Sequence, residues 1–293
     1  MEQGGAKVED VGQRGKQFRI AVFGDFMIDR YWIGETSRIS PEAPIPVVKI
    51  EKMFNSYGGA GNVAENLKAL GCKVEKYEPF RRPLPVKNRL MVGDHQIARW
   101  DENDECFKYQ DEIFINGYDA VVVADYGKGA IDDDMIFKIK LINAPIFVDT
   151  KRDPSVWSGV ATAIFPNEKE ANQFSKEYYD FRGDVILKRG EKGLELHNYL
   201  YGNIVESHSQ ARFVRSVNGA GDTVLAAFVY KYLELKNTYI YHREGFDCRY
   251  DYKEMLNFAN SAAACAVEAP YTSAPTLEEV EKRYNDYCNQ KVG

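Results

Sequence analysis

The sequence lacks the features that mark membrane, secreted and metal-binding proteins. No apolar run approaches the roughly 20 residues that cross a bilayer, and the polar first 17 residues have no signal-peptide core. The five cysteines are odd in number and form no CxxC pair, and the four histidines show no metal-ligand spacing. We therefore expect a cytoplasmic protein with free thiols, no zinc site and a flexible tail over residues 1–17.

An excess of basic residues is also missing. With 38 Lys and Arg against 44 Asp and Glu, the formal net charge is −6. Proteins that bind nucleic acid or anionic membranes usually present a basic face, so the composition argues against both partners. The chain also has no GxxxxGK[ST] phosphate loop and no HRD or DFG motif. Any nucleotide chemistry must therefore use another framework.

Short apolar runs alternate with amphipathic segments through most of the chain. Strands are predicted at 18–23, 121–124, 146–149, 163–165 and 185–187, and helices at 61–70, 133–142, 223–236 and 253–267. This alternation predicts an α/β domain with a mostly parallel sheet between helices. Polar clusters at 25–29, 125–128, 149–151 and 167–170 follow these strands. Because parallel strands end at one edge of the sheet, we expect the clusters to share a site.

The sharpest local signal is NGAGDT at 218–223, which runs directly into the amphipathic segment VLAAFVYKYL. Small residues let a ligand approach the backbone, and the free N–H groups of a helix start attract anions. Asp222 falls in that first turn, where the helix dipole favours an ionised carboxylate that can accept a proton. The same pattern also fits an ordinary helix start with an acidic cap.

A second glycine cluster, GGAGN at 58–62, offers a competing interpretation. GAGNVA fits the dinucleotide pattern GxGxxA, and Glu78 lies near the position of a ribose-binding acid. Against a dinucleotide-dependent oxidoreductase, the polar stretch EKMFNSY separates Ile50 from the glycines, whereas a dinucleotide turn follows its strand at once. We therefore expect no strand directly before this cluster.

Taken together, the segments resemble the ribokinase-like (PfkB-type) carbohydrate kinases, and within them the heptose 7-phosphate kinases of lipopolysaccharide-core synthesis. The resemblance rests on FGDFMIDRYWIGETSRISPEAPIPVVKIE, GGAGNVAENLKALG, VVVADYGKG, FVDTKRD, FPNEKEA, LKRGEKGLEL, NGAGDT and NFANSAAA, in the family's order. It implies one ribokinase-like domain over residues 18–290, with a central mostly parallel sheet flanked by helices. A small β lid from about 31–50 and 87–100 and a homodimer through that lid are also implied.

The resemblance assigns roles residue by residue. Asp222 is similar to the base that activates the acceptor hydroxyl, and the backbone of Gly219, Ala220 and Gly221 to the anion hole for the phosphoryl group of ATP. The acceptor is implied to be the anomeric hydroxyl of a heptose 7-phosphate. The matching substrate-side positions are Asp29, Arg38, Gly59, Asn62, Arg89, Arg99, Asp125 and Lys128, with Lys87 as a further phosphate candidate. The matching nucleotide-side positions are Asn167, Glu168, Lys169, Glu170, Gly190, Gly193 and Asn260, where Asn167 and Glu170 act on Mg²⁺ through water.

The sequence departs from the family pattern at several places. Only CKVEKYEPFRRPLP joins Gly71 to Val86, where the family carries a further helix–strand unit, so we expect a shortened sheet edge. Lys188 stands where the family has a small or hydroxyl-bearing residue, and APYTSA replaces a glycine-bearing loop at the adenine pocket. A kinase for another sugar or nucleoside, or an inactive sugar- or nucleotide-binding relative, therefore stays open.

Overall fold

The computed structural model describes residues 17–78, 83–106, 108–109, 117–198, 204–242 and 248–290, with the backbone alone for 238–242 and 248–251. Within these residues the strands are β1 (Arg19–Gly24), β2 (Phe26–Ile39), β3 (Pro46–Gly59), β4 (Lys73–Lys76), β5 (Val86–Val92), β6 (His95–Glu102), β7 (Ala120–Asp125), β8 (Ile146–Thr150), β9 (Ala163–Ile164), β10 (Asp184–Lys188), β11 (Leu194–Asn198) and β12 (Ile204–Ser207). The helices are α1 (Ala60–Ala69), α2 (Asp133–Lys140), α3 (Glu168–Gln173), α4 (Ser175–Tyr179), α5 (Ala220–His242), α6 (Cys248–Glu268) and α7 (Leu277–Gln290), with 3₁₀ turns at Pro154–Trp157 and Gly190–Lys192.

The larger sheet has the spatial order β12-β11-β10-β9-β8-β7-β1-β4. The pairs from β10 through to β4 are parallel, and β11 and β12 add antiparallel strands at one edge. Every residue of β7 and β8 is buried, which explains why these strands read as unbroken apolar runs. The predicted α/β architecture with a mostly parallel sheet is confirmed.

Helices cover both faces of this sheet. On one face, α1, α5, α6 and α7 pack around a core that includes Leu67, Phe228 and Leu256. On the other face, α2, α4 and the 3₁₀ turn at Pro154–Trp157 bury Met135 and Trp157. None of the described helices combines the length and hydrophobicity that a bilayer crossing requires.

The smaller sheet has the order β3-β2-β5-β6. Strands β2 and β5 are parallel and the other pairs are antiparallel. Both β2 and β3 are 14 residues long, far longer than the short runs at 31–33 and 47–50 that the sequence suggested. Apolar patterning underestimated them because much of their length is exposed and carries polar side chains. The two proposed lid segments lie in this sheet.

The expectation about the glycine cluster at 58–62 was wrong in one respect. Strand β3 continues through EKMFNSY to Gly59, and α1 begins at Ala60, so a strand does run directly into these glycines. That strand belongs to the smaller sheet, whereas β4, the next strand after α1, pairs with β1 in the larger sheet. A dinucleotide-binding unit needs both strands in one parallel sheet, so the fold does not support that alternative.

Several smaller expectations have mixed outcomes. Strand β4 forms the edge of the larger sheet in the short connection between Gly71 and Val86, of which residues 79–82 lie outside the described residues. Cys72, Cys106, Cys265 and Cys288 are free, while the side chain of Cys248 lies outside the described part. Of the tail predicted over residues 1–17, residues 1–16 lie outside the described residues.

Candidate active site

The candidate active site is a cavity of about 260 Å³ where the smaller sheet faces the carboxyl ends of the larger one. Each of the polar clusters noted in the sequence contributes to it, because parallel strands end along this edge. The residues that line it are Asp29, Gly59, Lys87, Arg89, Tyr126, Asp149, Lys151, Asn167, Glu170, Lys188, Val217, Asn218, Gly219, Gly221 and Asp222.

Asp222 lies at the bottom of this cavity in the first turn of α5, and its side chain is buried. The Asn62 amide donates to Asp222 Oδ2 at 2.8 Å, and the Tyr126 hydroxyl donates to Oδ1. Burial raises the pKa of the Asp222 carboxyl to about 6, against the lowering effect of the bonds from Tyr126 and Asn62. The helix dipole suggested that Asp222 is ionised. A pKa of about 6 agrees with an ionised carboxylate at neutral pH, although burial brings that pKa closer to neutrality.

The backbone before Asp222 turns sharply into the helix. Gly219 has φ +78°, and a Cβ there would stand 2.5 Å from the Asn62 amide nitrogen, so only glycine fits. The first helical bond runs from the Thr223 N–H to the Gly219 carbonyl at 3.0 Å. Within the described chain, no protein acceptor receives the N–H of Gly219 or Gly221, whereas that of Ala220 donates to the Val217 carbonyl at 3.4 Å. Two of the three expected amides are therefore free to bind an anion.

Asp25 organises the loop that carries Tyr126. This fully buried carboxylate accepts the N–H groups of Tyr126 at 2.8 Å, Lys128 at 3.0 Å and Ala130 at 3.0 Å. Three backbone bonds on one acid fix the loop, and the loop in turn holds the Tyr126 hydroxyl against Asp222. Sequence reasoning had placed Asp25 in a polar cluster and had given neither it nor Tyr126 a role.

On the smaller sheet, Asp29 and Arg89 form a buried ion pair with an Nη2–Oδ1 distance of 3.1 Å. Arg89 Nε is buried and has no hydrogen-bond partner among the described residues, which leaves a donor for a ligand oxygen. The Lys87 and Lys151 ammonium groups lie 5.7 and 4.9 Å from the centre of the Tyr126 ring. Burial lowers the pKa of Lys87, although Asp29 acts to raise it. The smaller sheet therefore contributes a carboxylate and two cations, and Lys151, which follows β8 of the larger sheet, adds a third cation to the cavity.

Five residues assigned to the substrate by resemblance do not line the cavity, and one of them, Asn62, is buried and donates to Asp222. Arg38 is exposed on the distal part of β2, and the Arg99 guanidinium bonds to the Asp101 carboxylate at 2.8 and 2.6 Å. Asp125 accepts from Arg152 Nε at 2.7 Å and from the Thr150 hydroxyl at 3.2 Å. Lys128 forms an ion pair with the carboxylate of Asp104. Arg38 is too far along β2 to reach the cavity, and the other side chains are held by their contacts with the protein.

The NxxE segment starts α3 with a reciprocal capping box. Asn167 Oδ1 accepts the Glu170 N–H, and Glu170 Oε2 accepts the Asn167 N–H, both at 2.9 Å. Both residues therefore cap the helix, as Asn and Glu do at many helix starts, and both also line the cavity. Glu168 and Lys169 are exposed, and Glu168 lies 3.5 Å from Lys192 Nζ.

The described residues suit Mg²⁺ bound through water better than by direct ligation. Among them, no group of three or more His, Cys, Asp or Glu side chains could hold a metal ion. The capping box occupies one oxygen of Glu170 and the amide oxygen of Asn167, and the second Glu170 oxygen is available to a water. Because Mg²⁺ keeps several of its waters, this donor set fits it.

A second hollow of about 300 Å³ is lined by Arg189, Glu191, Lys192, Leu194, Glu206, His208 and Ser209. Gly190 and Gly193 are next to these lining residues in the chain, whereas Asn260 is buried. Asn260 donates to the carbonyl and hydroxyl oxygens of Ser207 at 2.8 Å, and a Cβ on Gly193 would stand 2.1 Å from that carbonyl. The APYTSA loop, expected at the adenine pocket, places Thr272 elsewhere. Its hydroxyl bonds to Asp29 at 3.4 Å, and the Tyr31 hydroxyl lies 2.8 Å from it.

Comparison with known proteins identifies relatives of the whole arrangement. The family model for pfkB family carbohydrate kinases matches residues 140–279. Bifunctional protein HldE of a Nitratiruptor species is 32% identical over 315 residues, which covers 90% of this chain and 64% of that protein. Bifunctional protein HldE of Aliivibrio fischeri is 34% identical over 264 residues, covering 72% of this chain and 54% of that protein. The chain thus spans only between about half and two thirds of the length of these relatives.

Solved structures share the fold at low identity. Arabidopsis thaliana ribokinase complexed with ribose and ATP superposes with a TM-score of 0.67 at 18% identity, covering 92% of this chain and 99% of that one. Phosphofructokinase-2 from Escherichia coli in complex with fructose-6-phosphate gives 0.67 at 14%, covering 92% and 98%. The fold, the family model and the curated relatives agree: over residues 140–279 the chain matches the pfkB family of carbohydrate kinases.

Proposed function

We propose that this chain transfers the γ-phosphoryl group of ATP to a hydroxyl of a phosphorylated sugar, with Asp222 as the general base. The observation that carries this proposal is the buried Asp222 carboxylate beside the free N–H groups of Gly219 and Gly221. Phosphoryl transfer needs a proton acceptor, alignment of the reactants and neutralisation of charge. The start of α5 supplies the proton acceptor through Asp222 and part of the neutralisation through its free N–H groups.

The reaction follows from these groups. Asp222 takes the proton of the acceptor hydroxyl while the oxygen of that hydroxyl bonds to the γ-phosphorus of ATP. The bond between the γ-phosphorus and the bridging oxygen breaks, and ADP is released. The free N–H groups at the start of α5 stabilise the oxygens of the phosphoryl group in flight. Mg²⁺, when bound through water at Asn167 and Glu170, would neutralise phosphate charge.

The acceptor side supports a sugar that already carries a phosphate. Asp29 offers a carboxylate that can bind sugar hydroxyls, while Asn62, whose amide donates to Asp222, positions the base. Arg89 Nε and the Lys87 and Lys151 ammonium groups offer charge-assisted donors for a phosphate. Together with the HldE relatives and the heptose-kinase resemblance, they favour a heptose 7-phosphate that is phosphorylated at its anomeric hydroxyl.

The nucleotide would occupy the other side of the cavity. Its phosphates would lie between the start of α5 and the NxxE segment, and its base and ribose near Gly190, Gly193 and Asn260. Support comes from the second hollow, whose lining residues flank Gly190 and Gly193 in the chain, and from the ribokinase relative, which was solved with ATP. The positions of Glu168 and Lys169 on the exposed start of α3 suit the rim of such a site.

The smaller sheet is proposed to form a homodimer interface. On its outer face Met53 pairs with Trp32 across the strands, and the rings of Trp32 and Trp100 lie 6.2 Å apart. Met53 is 48% and Trp100 41% exposed, a patch that a second copy could cover. We also propose that the enzyme is cytoplasmic, because ATP and reduced thiols are both present there.

The decisive experiment is an ADP-release assay over a panel of sugars, nucleosides and sugar phosphates, with Asp222→Asn as control. We expect turnover with a heptose 7-phosphate and phosphorus NMR of the product showing an anomeric phosphate. Turnover with another sugar or a nucleoside instead would keep the kinase and replace the acceptor. ATP binding without turnover on any acceptor would indicate an inactive relative and reject the proposal.

A further inference from the structure

Lys188 is a cation in the active-site cavity that the function proposed above does not use. It ends β10, and its backbone pairs with the start of the NxxE segment, since its N–H donates to the Pro166 carbonyl at 2.8 Å and it bridges to Asn167. Its side chain is only 15% exposed and lines the cavity. The fold therefore fixes the base of this side chain next to α3.

The far end of the Lys188 side chain reaches the start of α5. A Cβ on Gly221 would stand 3.3 Å from Nζ, 3.7 Å from Cδ and 3.9 Å from Cε of Lys188. The stem of the lysine thus lies along Gly221, whose own N–H is one of the free amides at the helix start. The ammonium group and the free amides consequently face the same small volume.

One carboxylate holds the ammonium group in this place. Lys188 Nζ donates to Asp149 Oδ2 at 2.5 Å, and the Asp149 side chain is 6% exposed at the end of β8. An ammonium group has three N–H donors, and in the described part of the chain only this one acceptor bonds to it. Two donors therefore remain for an oxygen-rich anion.

A positive group beside a helix N-terminus is electrostatically unfavourable unless an anion occupies the space between them. The ion pair with Asp149 offsets part of the cost of burying the ammonium group. It does not neutralise the partial positive charge of the helix N-terminus. The influence of this lysine extends to the base, because it acts to lower the pKa of Asp222 while Asp149 acts to raise it. The geometry therefore suits a ligand that carries several negative oxygens.

We propose that Lys188 binds the phosphoryl group undergoing transfer, as a cation that acts together with the free amides of α5. This inference rests on the proposed function for the identity of the anion, the terminal phosphate of ATP. It gives this chain a second source of positive charge at that phosphate besides the backbone, and it assigns a role to a lysine that departs from the family pattern.

The test measures nucleotide binding by calorimetry without any sugar, using adenosine, ADP and ATP as probes. In Lys188→Met the stem is kept and the charge is lost, so we expect ATP affinity to fall about tenfold to hundredfold. ADP affinity should fall less, and adenosine affinity should stay at the parent value. Lys188→Arg should recover part of the lost ATP affinity, because it restores a cation. Lys176→Met, an exposed lysine of α4, serves as the matched control and should bind all three probes as the parent does.

Two results would overturn the inference. One is parent-like ATP affinity in Lys188→Met; the other is an equal loss for adenosine, ADP and ATP, which marks a structural role and should accompany a lowered melting temperature. Failure of the proposed function is recognised separately, since it is a parent protein that binds ATP but phosphorylates no acceptor. A parent that binds no ATP would reject both.

Discussion

The two walls of the active-site cavity are built differently. The wall from the larger sheet carries Asp149 and Lys188 on β8 and β10 and Asp222 in the first turn of α5, and β8 is buried along its whole length. The wall from the smaller sheet carries Asp29, Lys87 and Arg89, and its edge strand β6 is exposed along its whole length. The chemical groups thus lie on the part of the fold that packing constrains most, and the groups proposed for acceptor binding lie on the part it constrains least.

This contrast assigns different effects to changes in the two walls. In the larger-sheet wall, changes of Asp222 should mainly lower kcat, because it contacts the reacting atoms, and changes of Lys188 should lower the affinity for ATP. Variants in the smaller-sheet wall should mainly change the KM of the acceptor or the stability of that sheet. Each of the following measurements either sharpens this division or breaks it.

The largest effect is expected from Asp222→Asn in the larger-sheet wall. The amide cannot accept the hydroxyl proton, so kcat should fall by about 10²–10⁴ while ATP still binds. Asp133→Asn, which changes an exposed acid in the first turn of α2, should leave kcat unchanged. Initial rates of ADP release measure both, and parent-like turnover by the Asp222 variant would break the division at its centre.

Arg89→Met tests the smaller-sheet wall. It leaves Asp29 buried without its ion-pair partner, so we expect the free energy of unfolding to fall by about 3–5 kcal/mol. Arg99→Met, on the neighbouring strand, removes an ion pair whose arginine side chain is 43% exposed, and should cost no more than about 1 kcal/mol. Urea unfolding compares the two variants, and equal losses would contradict a buried role for Arg89.

Tyr126→Phe probes the contact between the base and the loop that Asp25 holds. The Tyr126 hydroxyl acts to lower the pKa of Asp222, which burial raises to about 6. In the parent, the ionised base and therefore kcat/KM should be lost as pH falls through about 6. Without the hydroxyl the pKa rises, so the acidic limb should move to higher pH, while kcat/KM well above that limb changes little. An unshifted pH profile of kcat/KM would show that the bond does not tune the base.

The smallest catalytic effect is expected on the outer face of the smaller sheet. Met53→Asp places a charge in the proposed dimer patch and should shift the protein toward monomer with kcat nearly unchanged. Phe137→Ser alters another exposed apolar side chain, on α2, and should not change the oligomeric state. Analytical ultracentrifugation distinguishes the outcomes, and a parent that is already monomeric would reject the interface.

Sequence patterns were reliable for the larger sheet and poor for the smaller one. The apolar runs at 121–124 and 146–149 located β7 and β8 to within one residue, because strands buried on both faces admit few polar side chains. Strand β3 was underestimated, since its segment EKMFNSY mixes charged and polar residues with Met53, Phe54 and Tyr57 and so forms no unbroken apolar run. The wrong expectation that no strand directly precedes the glycine cluster at 58–62 has the same cause.

The site was only partly accessible from the sequence. Asp222 and its glycines were located because a loop of small residues before an apolar helix has a local signature. Asn62 was assigned to the sugar, yet it contacts Asp222 across 160 positions of chain. Tyr126 had no signal of its own, and a search for hydroxyls at strand ends would have been the one way to find it.

The sequence by itself determined where the strands of the larger sheet end and where a helix begins with free amides, because these depend on residues next to each other in the chain. It therefore determined the acid at Asp222 and the class of fold. Only the tertiary structure decided which distant groups meet that acid, since the contacts of Asp222 with Asn62 and Tyr126 and of Lys188 with Gly221 and Asp149 join separate elements. The physical reason is that sheet order and packing, which no local pattern encodes, set those distances.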